Sequence, residues 1–235
     1  MSDIYKTSNV RPQTPYLSLA KTNHSQLMDV AEKISLTDAQ IARLDSGLPV
    51  WFPATEEDFL DFWPTTHYKT EYHRNQIVII GLAAFFHEVL VMNLGKLLSK
   101  LYKQTDGFLV AGSNVGLKIP MKKGYYNPDI TIVLGKPEFV GKSNAIITNP
   151  HLVVEILSES TEAYDFHEKL PRYQRLPSLR VVLFVYYRER VVYVAQPTAE
   201  PKSWTLTLFD EPGEIVRFEQ HSIPLTDFFA DLPVA

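Results

Sequence analysis

The sequence predicts an α+β, or mixed α/β, domain preceded by a short helical appendage. Three observations lead there. The stretch from about Ala84 to Lys103 carries apolar residues at helical spacing. A series of short segments rich in Val, Ile, Leu and aromatic residues, bounded by Gly, Pro, Asn and Asp, reads as strands. No internal repeat occurs, which excludes solenoids and propellers.

The 235 residues exceed one average domain of about 150 residues, so one domain with an appendage is expected. With 45% hydrophobic and 21% charged residues the composition is that of an ordinary globular protein. There is no cysteine, which excludes a disulfide scaffold, a thiol nucleophile and zinc held by thiolates. The net charge of -4 excludes a strongly basic nucleic-acid binder and leaves room only for locally concentrated positive charge. The first residues lack the basic start and apolar run of a signal peptide. No stretch reaches the ~18 apolar residues of a membrane span. A cytoplasmic protein with no membrane segment is expected.

Residues 1 to about 25, rich in Ser, Thr, Asn, Gln and Pro, read as a loose arm. Leu27, Val30, Ala31 and Ile34, then Ala39, Ile41 and Leu44, set a helical rhythm that Ser35 and Thr37-Asp38 interrupt with cap chemistry. Two short helices follow, closed by Gly47 and Pro49. The expected division is residues 1–50 for the appendage and 51–235 for the main domain. Thr55-Glu56-Glu57-Asp58 caps another short helix, which Pro64 ends. EYHRNQIVIIG reads as strand with a turn near Arg74-Asn75.

In the long helix Phe86, Val89, Leu90, Leu94, Leu97, Leu98 and Leu101 form one apolar face, with Lys96, Lys100 and Lys103 on the other. FLVAGSNVGLKI reads as a strand pair or one long bent strand. Further strands are expected at 128–134, 152–157, 181–187, 191–195, 204–209 and 214–218. A helical stretch between Ser160 and Leu176 contains Pro171, which predicts a kink or a late start. The plan is one sheet with a long helix against it.

Several motifs fail on inspection. His87-Glu88 begins a zincin-like pattern, but Val91 stands where the second His is needed. Gly135 to Ser143 resembles a phosphate-binding loop with one residue too many between its glycines and no helix after it. No GxSxG elbow occurs.

The informative residues are two acids. Asn127-Pro128-Asp129 opens the strand ITIVL, and the next strand, LVVEIL, carries Glu155 among apolar neighbours. From His151 to Leu157 all residues but His151 and Glu155 are apolar, a near-continuous run that reads as buried on both faces. An ionised carboxylate there is expensive unless paired. Singly, Asp129 reads equally as a turn residue after Pro128, and Glu155 as half of a buried salt bridge. Together, at matched places on adjacent strands, they point to a divalent metal, because Mg²⁺ is usually held by one or two carboxylates with waters and substrate phosphate oxygens.

At these residues the sequence resembles the Uma-two family of restriction-endonuclease-like proteins, within the PD-(D/E)XK nuclease superfamily. The stretches that carry the resemblance are PDITIVL, HLVVEILSEST and YDFHEKLPRYQRLPSLRVVLFV. The resemblance implies a restriction-endonuclease-like central sheet flanked by helices. It implies Asp129 and Glu155 as metal ligands for Mg²⁺ or Mn²⁺. The superfamily pattern has a Lys two residues after the second acid, where this chain has Leu157. The family moves that Lys onto the following helix, which makes Lys169 the third catalytic residue, with Asp165 and Tyr173 at four-residue spacing around it. Glu71 and His87 stand where the family has an upstream acid and a His opening the long helix. Each accessory residue keeps a second reading: Lys169 as an i,i+4 partner of Asp165, His87 as a polar cap, Tyr173 as packing.

Lys118, Lys122 and Lys123 followed by Tyr125 and Tyr126 form a candidate DNA contact, although a solvated hairpin tip is the favoured reading of the same residues. The functional expectation is a metal-dependent endonuclease acting on DNA, with a homodimer compatible with it. The alternative is a catalytically degenerate nuclease fold serving as a nucleic-acid-binding or interaction module.

Overall fold

The computed structural model describes residues 34–121, 124–157, 164–230 and 232. The expected arm, the first appendage helix, Lys122 and Lys123 lie outside the described residues.

Cap chemistry places the first elements. Helix α1, Asp38–Asp45, starts on Thr37, whose hydroxyl accepts from the Gln40 N–H while the Gln40 side chain accepts from the Thr37 N–H. Strand β1, Val50–Pro53, leads to α2, Glu56–Phe62, which Thr55 and Asp58 cap in the same reciprocal way. Strands β2, Thr70–His73, and β3, Gln76–Ile79, form a hairpin. Its turn residues Arg74 and Asn75 have φ of 51° and 58°, the left-handed pair that matches the twist of the flanking strands. Helix α3, Phe85–Leu101, follows as expected.

Strands β4 (Phe108–Ala111), β7 (Ile130–Leu134), β9 (Leu152–Leu157), β10 (Val181–Tyr186), β11 (Val191–Pro197) and β12 (Trp204–Phe209) build a central sheet in the order β12-β11-β10-β9-β7-β4. Only β9 and β10 pair parallel in it. A second six-stranded sheet has the order β1-β3-β2-β6-β5-β8, with β5 at Gly116–Lys118, β6 at Gly124–Tyr126 and β8 at Ile146–Ile147. Strands β13, Ile215–Phe218, and β14, His221–Pro224, form a separate hairpin before α5, Leu225–Phe228. Among the described residues no helix is long and apolar enough to cross a membrane.

The mixed α+β plan holds, with corrections. There are two large sheets, not one. Strands β1, β6 and β8 have two to four residues, too few for an alternation to show in sequence. FLVAGSNVGLKI is neither a strand pair nor one strand, since β4 joins the central sheet and β5 the second. The late start expected at Pro171 is present: a wide turn at Asp165–Lys169, in which the Leu170 N–H donates to the Asp165 carbonyl five residues back, precedes α4, Leu170–Tyr173, whose first turn holds Pro171. Such a wide turn relaxes the i−4 contact that a proline ring disturbs.

The period of two sorts the central sheet into two faces. Leu152, Val154 and Ile156 of β9, with Val181, Leu183 and Val185 of β10, meet Leu90, Leu94 and Leu98 of α3. Val153, Leu157, Val182 and Phe184 face the other way, toward Tyr173, Leu176 and Tyr126. Glu155 has the parity of that second group. Leu44 of α1 is buried with Val50, Phe59, Tyr72 and Ile79 in a third cluster, which therefore spans the expected boundary at residue 50.

Candidate active site

The register Ile130↔Val154 sets Asp129 opposite Glu155, one step past the paired residues. Backbone fixes the aspartate: its N–H donates to the Val154 carbonyl at 3.0 Å, and the Ile156 N–H donates to Asp129 Oδ2 at 2.8 Å. Strand β2 and the residue before it add a polar stripe, because Lys69, Glu71 and His73 alternate onto one face. Lys69 Nζ lies 2.7 Å from Asp129 Oδ1. His87, in the first turn of α3, brings Nε2 to 3.3 Å from Asp129 Oδ2.

The wide turn before α4 delivers Lys169. Its ammonium lies 3.0 Å from Glu155 Oε2, 3.0 Å from Asp165 Oδ1 and 3.1 Å from Glu71 Oε1. The Tyr173 hydroxyl donates to Glu155 Oε1. Glu71, fully buried, also accepts from the Asn127 N–H at 3.1 Å and from the Tyr164 hydroxyl at 2.8 Å. Thus Asp129, Glu155, Lys169, Glu71, His87, Asp165 and Tyr173 all converge. They line or back a cleft of about 550 Å³ whose far rim is Asp45, Ser46 and Gly47.

Four carboxylates share two lysines here, and the titration directions follow. Burial would raise Asp129, but the Lys69 ammonium and the His87 hydrogen bond hold it well below the usual carboxylate range. Burial pushes Glu155 up; Lys169 opposes this, while Asp165 and Asp129 add to it. Burial likewise raises Asp165. Lys169 is raised well above its ordinary value because Asp165, Glu155 and Glu71 together outweigh its desolvation. The cluster is therefore short of positive charge although both lysines stay protonated.

Sequence reasoning missed Lys69 and Tyr164. Lys69 did leave a signal, the alternation Lys-x-Glu-x-His entering a buried strand; Tyr164 left none. The expected DNA contacts need correction. Strands β5 and β6 do pair as an antiparallel hairpin, but β6 lies between β2 and β5, so Tyr125 and Tyr126 are interior to a sheet and not at the hairpin's tip. Tyr125 is fully buried at 5.0 Å from the Phe59 ring, and Tyr126 meets Tyr173 edge-on at 5.9 Å. Neither can stack on a base. Lys118 pairs with Glu56 at 3.6 Å.

A model of the Uma2 family, described as "Putative restriction endonuclease", matches residues 56–223, most of the chain. The protein belongs to the Uma2 family. Two uncharacterized proteins of Synechocystis sp. are similar to this Uma2 chain. One is 30% identical over 152 residues, covering 63% of this chain and 82% of its own. The other is 32% identical over 129 residues, covering 55% and 66%. A solved structure described as a "putative nuclease belonging to DUF820" from Anabaena variabilis superposes with a TM-score of 0.62 at 19% identity, over 76% of this chain and 98% of that one. At that identity the likeness establishes the fold, which is nuclease-like. Every carboxylate and lysine of the cluster lies inside the segment that matches Uma2, whereas the rim residues 45–47 lie before it.

Proposed function

We propose that this Uma2 protein is a divalent-cation-dependent endonuclease that hydrolyses phosphodiester bonds in DNA. The observation that carries the reading is the meeting of Asp129 and Glu155, on neighbouring strands, with Lys169 on one cleft wall. Among the described residues no three His, Asp or Glu side chains are arranged to hold an ion by themselves. Mg²⁺ does not require three, since one or two carboxylates with waters and phosphate oxygens suffice. The donors present are hard oxygens in a pocket with excess negative charge, so they fit Mg²⁺ or Mn²⁺ held by Asp129 and Glu155. When bound, such an ion neutralises a phosphate oxygen and lowers the pKa of water.

The chain's own groups do the rest. The Ile156 N–H, Lys69 and His87 aim Asp129 and keep it ionised. Tyr173 orients Glu155. Lys169 keeps a full charge beside Glu155 and serves to stabilise negative charge developing on the phosphate. Supercoiled plasmid with Mn²⁺ or Mg²⁺ tests the reading. The wild type should nick or linearise it, and Asp129→Ala and Glu155→Ala should not. Cutting that persists in both variants removes this cluster from the chemistry. DNA binding without cutting in either metal favours the interaction-module alternative.

A further inference from the structure

We infer that Lys69 is the lysine that touches the DNA phosphate in this cleft, while Lys169 acts on it only through its charge, from behind the carboxylates. The inference rests on the nuclease reading above and adds a substrate-contacting residue to it. What separates the two lysines is how many hydrogens each ammonium has left to give.

An ammonium carries three N–H groups and no lone pair. Lys169 has one carboxylate oxygen for each of them: Glu155 Oε2 and Asp165 Oδ1 at 3.0 Å and Glu71 Oε1 at 3.1 Å. Its side chain is 6% exposed. Donating to a phosphate would leave one of three buried acids without its partner, which is costly. Lys69 differs on each count. Its side chain is 24% exposed and lines the cleft. Among the described residues Asp129 is its one carboxylate partner, with Oδ1 at 2.7 Å. Two of its N–H groups are therefore open to a ligand. The remaining basic side chain of the wall, Arg188, comes from the turn after β10 and lies 6.0 Å from the centre of the Tyr187 ring.

Lys69 is also free to turn. Asp129 Oδ2 accepts from the Ile156 N–H at 2.8 Å and faces His87 Nε2 at 3.3 Å, so the carboxylate stays aimed when Lys69 leaves Oδ1. Two cations on one carboxylate repel each other, so Lys69 competes with an ion for Asp129 and is better placed on the phosphate once that ion is held. The backbone need not follow. The Ile80 N–H donates to the Lys69 carbonyl at 2.8 Å, which carries the β2–β3 ladder one residue past Thr70↔Ile79. Glu71, two residues on and on the same face, ties the same strand to Lys169. One strand thus presents a fixed acid to the buried lysine and a movable lysine to the cleft.

Fluorescence anisotropy of a labelled DNA duplex on the full chain, at fixed Ca²⁺ and rising salt, tests this. Each phosphate neutralised by a lysine adds about 0.9 to the slope of log affinity against log salt. Lys69→Gln keeps an N–H for Asp129 Oδ1 and loses the charge, so it should lower that slope by about one. Lys69→Arg should keep the slope, and Lys169→Met should leave it where it is. On supercoiled plasmid with Mg²⁺, Lys69→Gln should cut ~10²-fold more slowly. In calorimetry it should bind Mg²⁺ at least as tightly as the wild type, because a competing cation has left Asp129. An unchanged slope in Lys69→Gln, or cutting at the wild-type rate, overturns the inference, and cutting that still depends on Asp129 then leaves the nuclease reading intact. Loss of Mg²⁺ binding in Lys69→Gln also overturns it, since Lys69 would then act only by placing Asp129. Should Lys69→Gln not fold, Lys69→Met takes its place, and failure of both makes Lys69 a structural tie and overturns the inference. A lowered slope in Lys69→Gln with no cutting by the wild type in either metal keeps the phosphate contact and sinks the nuclease reading instead.

Discussion

Two of the polar clusters in this molecule are built on opposite principles. At the end of α3 the Glu219 carboxylate accepts from the Tyr102 hydroxyl at 2.6 Å and from His151 Nε2 at 3.0 Å. One acid meets two donors, and three distant chain segments are clasped together. In the cleft, four carboxylates surround two ammoniums and an imidazole. Buried charge is tolerated only when paired. The clasp is complete by itself, whereas the cleft, on the reading proposed above, takes one more cation. Structural polarity closes its own account; functional polarity leaves charge to be met by a ligand.

If that contrast is right, the largest effects belong to the cleft. Asp129→Ala should abolish cleavage and the heat of Mg²⁺ binding together, as read by plasmid assay and calorimetry. Full Mg²⁺ binding by the variant would place the ion elsewhere. Lys169→Met comes next. It leaves Glu71, Glu155 and Asp165 without their shared ammonium, so in EDTA it should destabilise by about 3–5 kcal/mol, the scale for stranding buried charge. Part of that loss should return with Mg²⁺, by mass action on the folded state. Single-turnover cleavage should fall ~10²-fold, and Lys169→Arg should rescue little, because a planar fork does not replace a point charge. Wild-type cleavage by Lys169→Met would leave Lys169 a purely structural residue.

The appendage offers an intermediate test. Leu44 is 2% exposed within the cluster shared by β1, β2 and β3. Leu44→Ala should cost about 2–5 kcal/mol in denaturant melts. A chain starting at Pro49 that melts at the wild-type temperature would show that residues 1–50 form a separate unit after all.

These residues also show how far a sequence can be read. Asp129 and Glu155 were legible as a candidate pair because two acids at matched places on adjacent apolar strands are harder to explain than either one alone. The long helix was legible because seventeen residues hold several turns of one apolar face. Lys169 could be assigned only through the family resemblance, since its approach to Glu155 depends on a wide helical turn with no local signature. Lys69 was overlooked because a lysine at a strand entrance ordinarily points to water. Tyr125 and Tyr126 were misread because a three-residue strand shows no period, and only pairing on both sides reveals it as interior.

Glu155→Gln sharpens the contrast with a smaller effect. Burial already raises the Glu155 carboxyl. Lys169 keeps Asp165 and Glu71 as partners, and the Tyr173 hydroxyl can donate to the amide oxygen as it does to the carboxylate. In EDTA at neutral pH the variant should therefore lie within about 1 kcal/mol of the wild type, while losing Mg²⁺ binding. A fall of several kcal/mol would mean a structural acid whose removal strands a buried cation.

The smallest effect is expected at the clasp, and its pH dependence is the informative part. Burial alone would raise Glu219, but hydrogen bonds from His151 and Tyr102 outweigh it and hold the group below its ordinary 4.5. A carboxyl depressed in the folded state stabilises fully above its unfolded value and loses that stabilisation as pH falls through the folded value. Wild type should thus melt slightly above Glu219→Gln at neutral pH, and the gap should close as pH drops below about 4.5. The site is partly open to water, so screening keeps the gap small. Added Mg²⁺ should leave it unchanged, unlike the gaps at Lys169 and Glu155, because a complete clasp has no place for another cation. A gap that widens toward acid would reverse the sign and show that Glu219 is held protonated. A gap that moves with Mg²⁺ would erase the distinction between the two clusters.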